Sequence, residues 1–174
     1  SLANAARSGA IARGGDVMER LGKVNLALLD KTGTLTSGRP RLEQIIMAKG
    51  RQKSTALKLA RGIEARSSHP YAAVVMEYTA DLQEVEVNEH QDGEAGVIAK
   101  QGTAKVYFGR PGWLQSEGVT ISKELLSAIE ETKEAGHGAS LLSKSGKAIA
   151  LFVFVHDDIR PGAEELIKDL HHQK

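Results

Sequence analysis

The fold of this chain is best predicted from one stretch of its sequence, Val24-Asn25-Leu26-Ala27-Leu28-Leu29-Asp30-Lys31-Thr32-Gly33-Thr34-Leu35-Thr36. Its first part is an almost entirely apolar run, and the run ends abruptly at the carboxylate of Asp30. This pattern predicts a buried parallel strand over residues 24–29 that delivers Asp30 at its C-terminal edge, where open α/β sheets place their ligands. Residues 31–40 are rich in Thr, Gly and Pro, and they predict a loop.

The residues around Asp30 suit the transfer of a phosphoryl group. A carboxylate at a strand end can attack phosphorus, while loop amides, hydroxyls and Lys31 meet the charge on the phosphoryl oxygens. Asp30 and the backbone carbonyl of Thr32 would together hold Mg²⁺, which prefers oxygen ligands. Phosphatases built on a similar strand-end Asp carry a second Asp where this chain has Thr32, which cannot act as acid or base near neutral pH. An aspartyl phosphate at Asp30 would therefore persist long enough to be coupled to another process.

The seven residues from Asp30 to Thr36 resemble the phosphorylation signature of P-type ATPases of the haloacid-dehalogenase superfamily. The alternative is a chance turn that contains Asp, Gly and Thr, and the position of the motif directly after an apolar run argues against it. The resemblance implies that ATP is the substrate, that Mg²⁺ assists, and that Asp30, Lys31 and Thr32 form the catalytic loop.

A second motif is Glu64-Ala-Arg-Ser-Ser-His69-Pro70. By itself, a loop histidine before a proline is more often a structural turn. The stretch resembles the Glu…Ser-x-His-Pro element in the nucleotide-binding domain of heavy-metal-transporting P-type ATPases. That resemblance implies that His69 contacts the adenine region of ATP and that Glu64 hydrogen-bonds the edge of the base.

Further downstream, Gly93 and Gly96 resemble the Gly-x-Gly segment of the same domain, where bare backbone lets phosphates or ribose approach. An ordinary hairpin turn is the alternative. Arg110 follows Gly109 at a position where many relatives have Asn. Lastly, Asp157 and Arg160 resemble the Asp-x-x-Arg junction where the chain re-enters the phosphorylation domain close to the nucleotide, and a helix cap with an exposed Arg is the alternative.

The remaining pattern predicts an α/β fold. The resemblance implies that this fold comprises a partial Rossmann-like, haloacid dehalogenase-type phosphorylation domain (residues 1–39 and 156–174). It further implies an inserted α+β nucleotide-binding domain (residues 40–155) with an antiparallel sheet flanked by helices. The expected elements are a strand at 42–47, a helix capped by Ser54, a helix at 71–82, strands at 84–88, 96–100 and 105–109, a helix from Ser122 to Gly136, a hairpin pairing 141–143 with 148–155, and a helix from Pro161.

Composition narrows the function classes. The chain has 174 residues with 23 basic and 22 acidic side chains, so charge gives no reason to expect nucleic acid as a partner. It has no cysteine, which excludes a thiolate metal site, and its six histidines lack the spacing of a transported-ion site. The longest apolar run, residues 148–155, is too short to cross a bilayer as a helix. We therefore expect a soluble fragment that does not itself bind the transported metal.

Taken as a whole, the resemblance covers nearly the entire chain, but the family's later Thr-Gly-Asp and Gly-Asp-Gly-x-Asn-Asp segments are absent. The expected function is that of the ATP-binding and phosphorylation fragment of a heavy-metal exporter, favouring zinc, cadmium or cobalt over copper, which binds ATP with little turnover. Its expected partners are the transmembrane helices, the actuator domain and the rest of the phosphorylation domain, at the cytoplasmic face of a membrane. The alternatives are a soluble haloacid-dehalogenase-type phosphatase and a non-catalytic ATP-binding module.

Overall fold

The structure is a computed structural model that describes residues 6–7, 9, 11, 14–156 and 159–172. Contacts divide the chain into two compact units. The split unit comprises residues up to Ser37 together with those from Ile159, and the central unit is Gly38–Asp158. The domain bounds inferred from the sequence remain predictions beside this division. None of the helices in the described part of the chain combines the length and the apolar character that crossing a bilayer requires.

The central unit is built on one sheet, which has six strands among the described residues. The strand order is β1-β6-β5-β4-β3-β2, and each pair of neighbours is antiparallel. The predicted antiparallel sheet is thereby confirmed. The strands are β1 Arg41–Met47, β2 Asn88–Gly93, β3 Gly96–Gln101, β4 Ala104–Gly109, β5 Gly138–Lys144 and β6 Lys147–Val155.

Helices cover both faces of this sheet. On one face lie α2 Lys53–Glu64 and α3 Pro70–Tyr78, and on the other lie α4 Pro111–Ser116 and α5 Lys123–Glu134. The long apolar run at residues 148–155 forms most of strand β6. Its side chains point to both faces of the sheet and so contribute to the apolar core on each face. Phe152 and Phe154 pack with the first pair of helices, and Leu151 and Val153 pack with the second.

Local signals in the sequence account for several boundaries. The Oγ of Ser122 accepts a hydrogen bond from the backbone N–H of Leu125 at 3.4 Å, which caps α5 as predicted. The turn between β5 and β6 is made by Ser145 and Gly146, with φ of 52° and 74°. Two successive residues with positive φ match the twist of a tight hairpin, so the predicted hairpin is confirmed.

Several boundaries differ from the sequence prediction. The helix predicted to be capped by Ser54 begins at Lys53, with Gln52 in the cap position. The helix predicted over residues 71–82 ends at Tyr78, where Arg61 donates to the carbonyl oxygens of Met76 and Thr79 at 3.2 and 3.1 Å and so satisfies the end of the helix.

The strand predicted at residues 84–88 is also displaced, since β2 begins at Asn88. Residues 83–87 pack against α2 instead of pairing in the sheet. The N–H of Val85 donates to the carbonyl of Lys58 at 3.4 Å, and a Cβ on Gly62 would collide with the carbonyl of Val85. The backbone of residues 83–87 therefore lies close against α2, and it does not form the strand pairing that the sequence pattern suggested.

The split unit contains α1 Gly15–Leu21, a five-residue π-helical turn Lys31–Leu35, and α6 Ala163–His172. The helix predicted from Pro161 begins at Ala163 instead, because Gly162 has a φ of 84° and lies in a turn. The prediction of a buried strand at residues 24–29 is wrong for the structure as described. This segment is irregular and pairs with none of the described strands, and Leu26 and Leu28 are 70% and 88% exposed. A parallel strand requires hydrogen-bonded neighbours at its edges and helices over its faces, and the described residues supply neither at this segment.

Candidate functional site

His69 occupies the N-cap position of α3, directly before Pro70. Its ring Nδ1 accepts a hydrogen bond from the backbone N–H of Tyr71 at 3.2 Å, so the neutral ring carries its proton on Nε2. Burial and the charge of Arg110 hold the pKa of His69 below its ordinary value, against an opposing effect of Asp92. The structure therefore holds a neutral imidazole in one orientation, with Nε2 as a hydrogen-bond donor.

The loop that precedes His69 is tied to strand β2 through Asp92. The carboxylate of Asp92 accepts from the backbone N–H of Ser68 at 2.7 Å, from the Ser68 hydroxyl at 2.8 Å and from the Ser67 hydroxyl at 3.4 Å. The Ser67 hydroxyl in turn accepts from the N–H of His69 at 3.2 Å. Hydrogen bonds from Ser68 to the ionised carboxylate lower the pKa of Asp92. This network holds the loop beside β2.

Two clefts lie on either side of His69 and Arg110. The first, which we call the Asp92 cleft, encloses about 530 Å³. It is lined by Ser68, His69, Pro70, Asp92, Gly93, Glu94 and Arg110. The second, which we call the His156 cleft, encloses about 350 Å³. It is lined by His69, Pro70, Tyr71, Arg110, Ala139, Ser140 and His156. Because His69, Pro70 and Arg110 line both, the two clefts adjoin each other.

Tyr71 forms the wall of the His156 cleft. Its ring stacks on Phe154 with centroids 4.0 Å apart and planes 6° from parallel, and its hydroxyl lies 3.0 Å from Nε2 of His156. A Cβ on Gly138 would collide with this hydroxyl, so the small residue at the start of β5 makes room for the tyrosine. The wall is therefore fixed both by stacking and by a hydrogen bond.

Glu64 lies at the end of α2 and is only 2% exposed. Burial, and then the negative charge of Asp92, raise the pKa of Glu64 to about 8. Its Oε2 has no hydrogen-bond partner among the described residues. Glu64 lines neither cleft around His69. It is coupled to the Asp92 cleft by charge, and its predicted contact with a base edge stays a prediction.

The two glycines of the predicted nucleotide segment differ in their surroundings. Gly93 lines the Asp92 cleft. Gly96, which is buried at the start of β3, pairs with Gly109 of β4. Its φ is +149°, and a Cβ there would collide with the carbonyl of Phe108 and the Cα of Gly109. Strand packing alone thus requires glycine at position 96, and its nucleotide contact stays a prediction.

The predicted phosphorylation loop lies in the split unit. Asp30 is exposed and extended, with φ of −68° and ψ of 143°, and it immediately precedes the turn that contains Lys31 and Thr32. Thr36 ends this turn and is 3% exposed. Its hydroxyl accepts from the N–H of Gly33 at 3.4 Å and donates to the carbonyl of Lys31 at 3.3 Å. Backbone and side chain of Thr36 therefore close the loop after the carboxylate.

Arg160 lies beside this loop, within the same unit. Its backbone N–H donates to the carbonyl of Leu35 at 2.9 Å, and its Nε donates to the carbonyl of Thr36 at 3.0 Å. Asp157, predicted alongside it, lies outside the described residues. The structure thus brings Arg160 to the end of the turn that begins directly after Asp30. The nucleotide contact predicted for Arg160 stays a prediction.

Sequence reasoning missed two residues of the central site, namely Asp92 and Arg110. Asp92 directly precedes Gly93 of the predicted nucleotide segment, but nothing in the sequence pattern identified it as a site residue. Arg110 was noted only as a departure from the family pattern, yet it lines both clefts. Their proximity to His69 cannot be read from spacing in the sequence, because Asp92 lies on β2 and Arg110 directly follows β4.

A magnesium ion, which the resemblance implies, would find suitable donors at Asp30. The carboxylate of Asp30 and the backbone carbonyl of Thr32 are hard oxygen ligands of the kind that Mg²⁺ prefers, and Mg²⁺ retains several of its waters. No cluster of three or more His, Cys, Asp or Glu side chains arranged for a metal occurs in the described part of the chain. The donor set fits a hydrated Mg²⁺ held by few protein ligands.

Comparison with known proteins extends over nearly the full chain. Residues 24–174 match the family described as haloacid dehalogenase-like hydrolase. The chain is 30% identical, over 98% of its length, to a zinc-transporting ATPase of Bacillus subtilis (strain 168), of which it covers 27%. It is 32% identical, over 95% of its length, to a copper-exporting P-type ATPase of Legionella pneumophila, of which it covers 22%.

A solved structure is similar in fold. The crystal structure of a zinc-transporting PIB-type ATPase in the E2.Pi state matches with a TM-score of 0.79 and 28% identity. The match covers 99% of this chain and 28% of that one. The chain thus spans about a quarter of the length of these relatives.

Proposed function

Because the chain belongs to the haloacid dehalogenase-like hydrolase family and matches heavy-metal P-type ATPases along nearly all of its length, we propose that it is the ATP-binding and phosphorylation portion of a pump that exports a heavy-metal cation. The central unit binds ATP, and Asp30 of the split unit accepts the γ-phosphoryl group. The transmembrane helices, the actuator domain and the rest of the phosphorylation domain are its partners in the intact pump. The preference for zinc, cadmium or cobalt remains a prediction.

The setting of His69 is the observation that carries the nucleotide part of this proposal. Its Nδ1 is engaged by the N–H of Tyr71, and its ring forms part of the surface shared by the two clefts. A planar neutral imidazole with a fixed orientation can stack on a purine without the cost of ordering a mobile side chain. The acidic groups of the Asp92 cleft can accept hydrogen bonds from the exocyclic amine of adenine.

The phosphoryl step follows from the chemistry of Asp30. In the intact pump an oxygen of its carboxylate forms a bond to the γ-phosphorus of ATP, the bond from that phosphorus to the β,γ-bridging oxygen breaks, and ADP leaves. Water later hydrolyses the aspartyl phosphate, which restores the carboxylate and releases inorganic phosphate. Lys31 and the loop amides offset the charge on the phosphoryl oxygens. The formation and loss of the phosphate drive alternating access in the membrane part.

Bound Mg²⁺ would neutralise charge on the phosphates, and Asp30 with the carbonyl of Thr32 would hold it. Thr32 lacks the acid and base chemistry of a second carboxylate. The residues of this chain therefore favour a long-lived phosphate at Asp30. This portion by itself is proposed to bind ATP with little turnover.

Calorimetric titration of ATP tests the nucleotide site. We expect His69→Gln to weaken ATP binding about tenfold, since a ring contact of this kind contributes about 1 to 2 kcal/mol. His171→Gln, which changes an exposed histidine of α6, is the matched control and should bind ATP as the wild type does. Equal affinities of the wild type and His69→Gln would refute the assignment of His69.

Hydrolysis of p-nitrophenyl phosphate separates the proposal from a free-standing phosphatase. We expect the wild type to turn this substrate over at a rate close to that of Asp30→Asn. Brisk hydrolysis that disappears in Asp30→Asn would instead identify a phosphatase.

A further inference from the structure

Arg110 is held in a defined place between the two clefts. Its backbone N–H donates to the carbonyl oxygen of Ala95 at 2.9 Å, which ties the end of β4 to the turn between β2 and β3. It stands in the cap position of α4, directly before Pro111. Proline fixes the backbone that follows, so the Cα of Arg110 has little freedom. Arg110 lines both the Asp92 cleft and the His156 cleft.

The two clefts differ in the charge of their walls. The Asp92 cleft carries the carboxylates of Asp92 and Glu94 beside Arg110. The described lining of the His156 cleft contains no acidic side chain, and its polar groups come from Arg110, Tyr71, Ser140 and His156. The two carboxylates therefore disfavour an anion on the Asp92 side of Arg110.

The guanidinium of Arg110 acts on the groups that face it. Its positive charge lowers the pKa of His69 and opposes the effect of burial on the pKa of Tyr71. His69 belongs to both clefts, and Tyr71 forms the wall of the His156 cleft. The charge of Arg110 thus acts on residues of both clefts.

We propose that Arg110 binds the phosphates of the nucleotide, with the base on the side of the Asp92 cleft and the phosphate chain passing over the guanidinium into the His156 cleft. This inference rests on the proposed function. Arg110 is then an affinity-determining residue that discriminates nucleotides by their phosphate charge. A guanidinium suits this task, because its planar donors match the oxygens of a phosphate in pairs.

The arrangement gives a definite order of affinities. The contact is absent in adenosine and strengthens as phosphates are added, so affinity should rise from adenosine through AMP and ADP to ATP. Loss of Arg110 should remove most of this rise and leave the binding of adenosine unchanged. The ratio of ATP affinity to adenosine affinity, measured within one protein, is therefore the diagnostic quantity.

The test is calorimetric titration of adenosine, AMP, ADP and ATP in magnesium-free buffer against the wild type, Arg110→Ala and Arg110→Lys. Arg20→Ala is the matched control, since it removes an equal charge from an exposed position on α1. We expect Arg110→Ala to reduce the ratio of ATP affinity to adenosine affinity by about tenfold or more. Arg110→Lys should lie between it and the wild type, because a lysine keeps the charge but not the paired donors.

Each other outcome has a definite meaning. An unchanged ratio in Arg110→Ala, or an equal loss of affinity for adenosine and ATP, overturns this inference and leaves the proposed function standing. A wild-type chain that binds neither adenosine nor ATP overturns the proposed function and this inference together. Since the ratio is taken within each variant, partial unfolding of a variant lowers both affinities alike and does not imitate the expected result.

Discussion

The Nε of Arg160 donates a hydrogen bond to the carbonyl oxygen of Thr36 at 3.0 Å, although the two residues are 124 positions apart in the chain. The neighbouring N–H of Arg160 binds the carbonyl of Leu35, and an isolated antiparallel bridge joins Thr36 to Ile159. These contacts hold the loop that follows Asp30 against the returning chain. Arg160, for which a nucleotide contact is predicted, thus holds the proposed phosphorylation loop in place.

Replacement of Arg160 by Ala should loosen that loop. Loss of the Nε contact removes about 1 kcal/mol, and the amide of Thr36, which donates to the carbonyl of Lys31 at 3.1 Å, should exchange with solvent roughly fivefold faster. Hydrogen exchange measured by NMR reports this directly. Arg20→Ala serves as the control. Unaltered exchange at Thr36 in Arg160→Ala would show that the backbone contacts of Arg160 suffice.

Replacement of Glu64 by Gln should change how stability depends on pH. The pKa of Glu64 is about 8 in the folded chain against an ordinary value of 4.5, so the folded chain holds a proton that the unfolded chain has lost between these values. The free energy of unfolding should therefore fall as pH rises from 4.5 towards 8, by up to about 1.4 kcal/mol per pH unit.

Denaturant unfolding at several pH values checks this expectation. Glu64→Gln should flatten the slope and be more stable than the wild type near pH 8. Glu77→Gln, at an exposed position on α3, should keep the wild-type slope. A wild-type slope retained in Glu64→Gln would place the responsible proton elsewhere.

Replacement of Gly96 by Ala should destabilise the central unit by about 3 kcal/mol or more. An added Cβ would meet the backbone of Phe108 and Gly109, and the φ of +149° disfavours any residue with a side chain. Gly112→Ala is the matched control, since a Cβ there meets nothing within 4 Å and alanine favours the helix. Thermal unfolding measures both. A stable Gly96→Ala that binds ATP poorly would assign position 96 to the nucleotide instead of to strand packing.

Replacement of Asp92 by Asn should affect the loop before His69 and the buried Glu64 together. The amide keeps one acceptor but loses the charge, so the N–H of Ser68 should exchange faster by roughly fivefold. The pKa of Glu64 should fall, because the like charge beside it is gone. NMR titration of the Glu64 side chain measures the shift. A Glu64 pKa that does not move in Asp92→Asn would leave burial as its only cause. Asp81→Asn, outside this network, is the control.

Much of the central unit was accessible from local patterns. Ser122 and Gly136 marked the two ends of α5, and the Ser145-Gly146 pair predicted the hairpin between β5 and β6. Both kinds of feature are predictable because helix caps and tight turns depend on the conformation of single residues. The apolar run of β6 predicted a buried strand, which is confirmed, and its side chains belong to both cores. Helix caps, tight turns and apolar runs are each determined by a few neighbouring residues.

The failures have a different cause. The alternation at residues 84–88 suggested a strand, but the bare backbone of Gly62 allows this segment to pack on α2, and the pairing begins only at Asn88. Arg61, whose guanidinium satisfies the carbonyls at the end of α3, likewise stops that helix at Tyr78. Contacts between segments that are distant in the sequence decided these boundaries, and local propensities cannot predict such contacts.

By itself, the sequence determined that a carboxylate follows an apolar run and precedes a Gly- and Thr-rich loop, and that a His-Pro pair opens a helix. Only the tertiary structure decided what surrounds these motifs. The register of the antiparallel sheet brings Asp92 to Ser68, and the close pairing of Gly96 with Gly109 sets Arg110 beside His69. The same dependence explains residues 24–29, since an apolar run becomes a buried strand only where neighbouring strands and helices cover it. Side chains far apart in sequence form one site only when hydrogen-bonded strands set their spacing, and that spacing is a property of the folded chain.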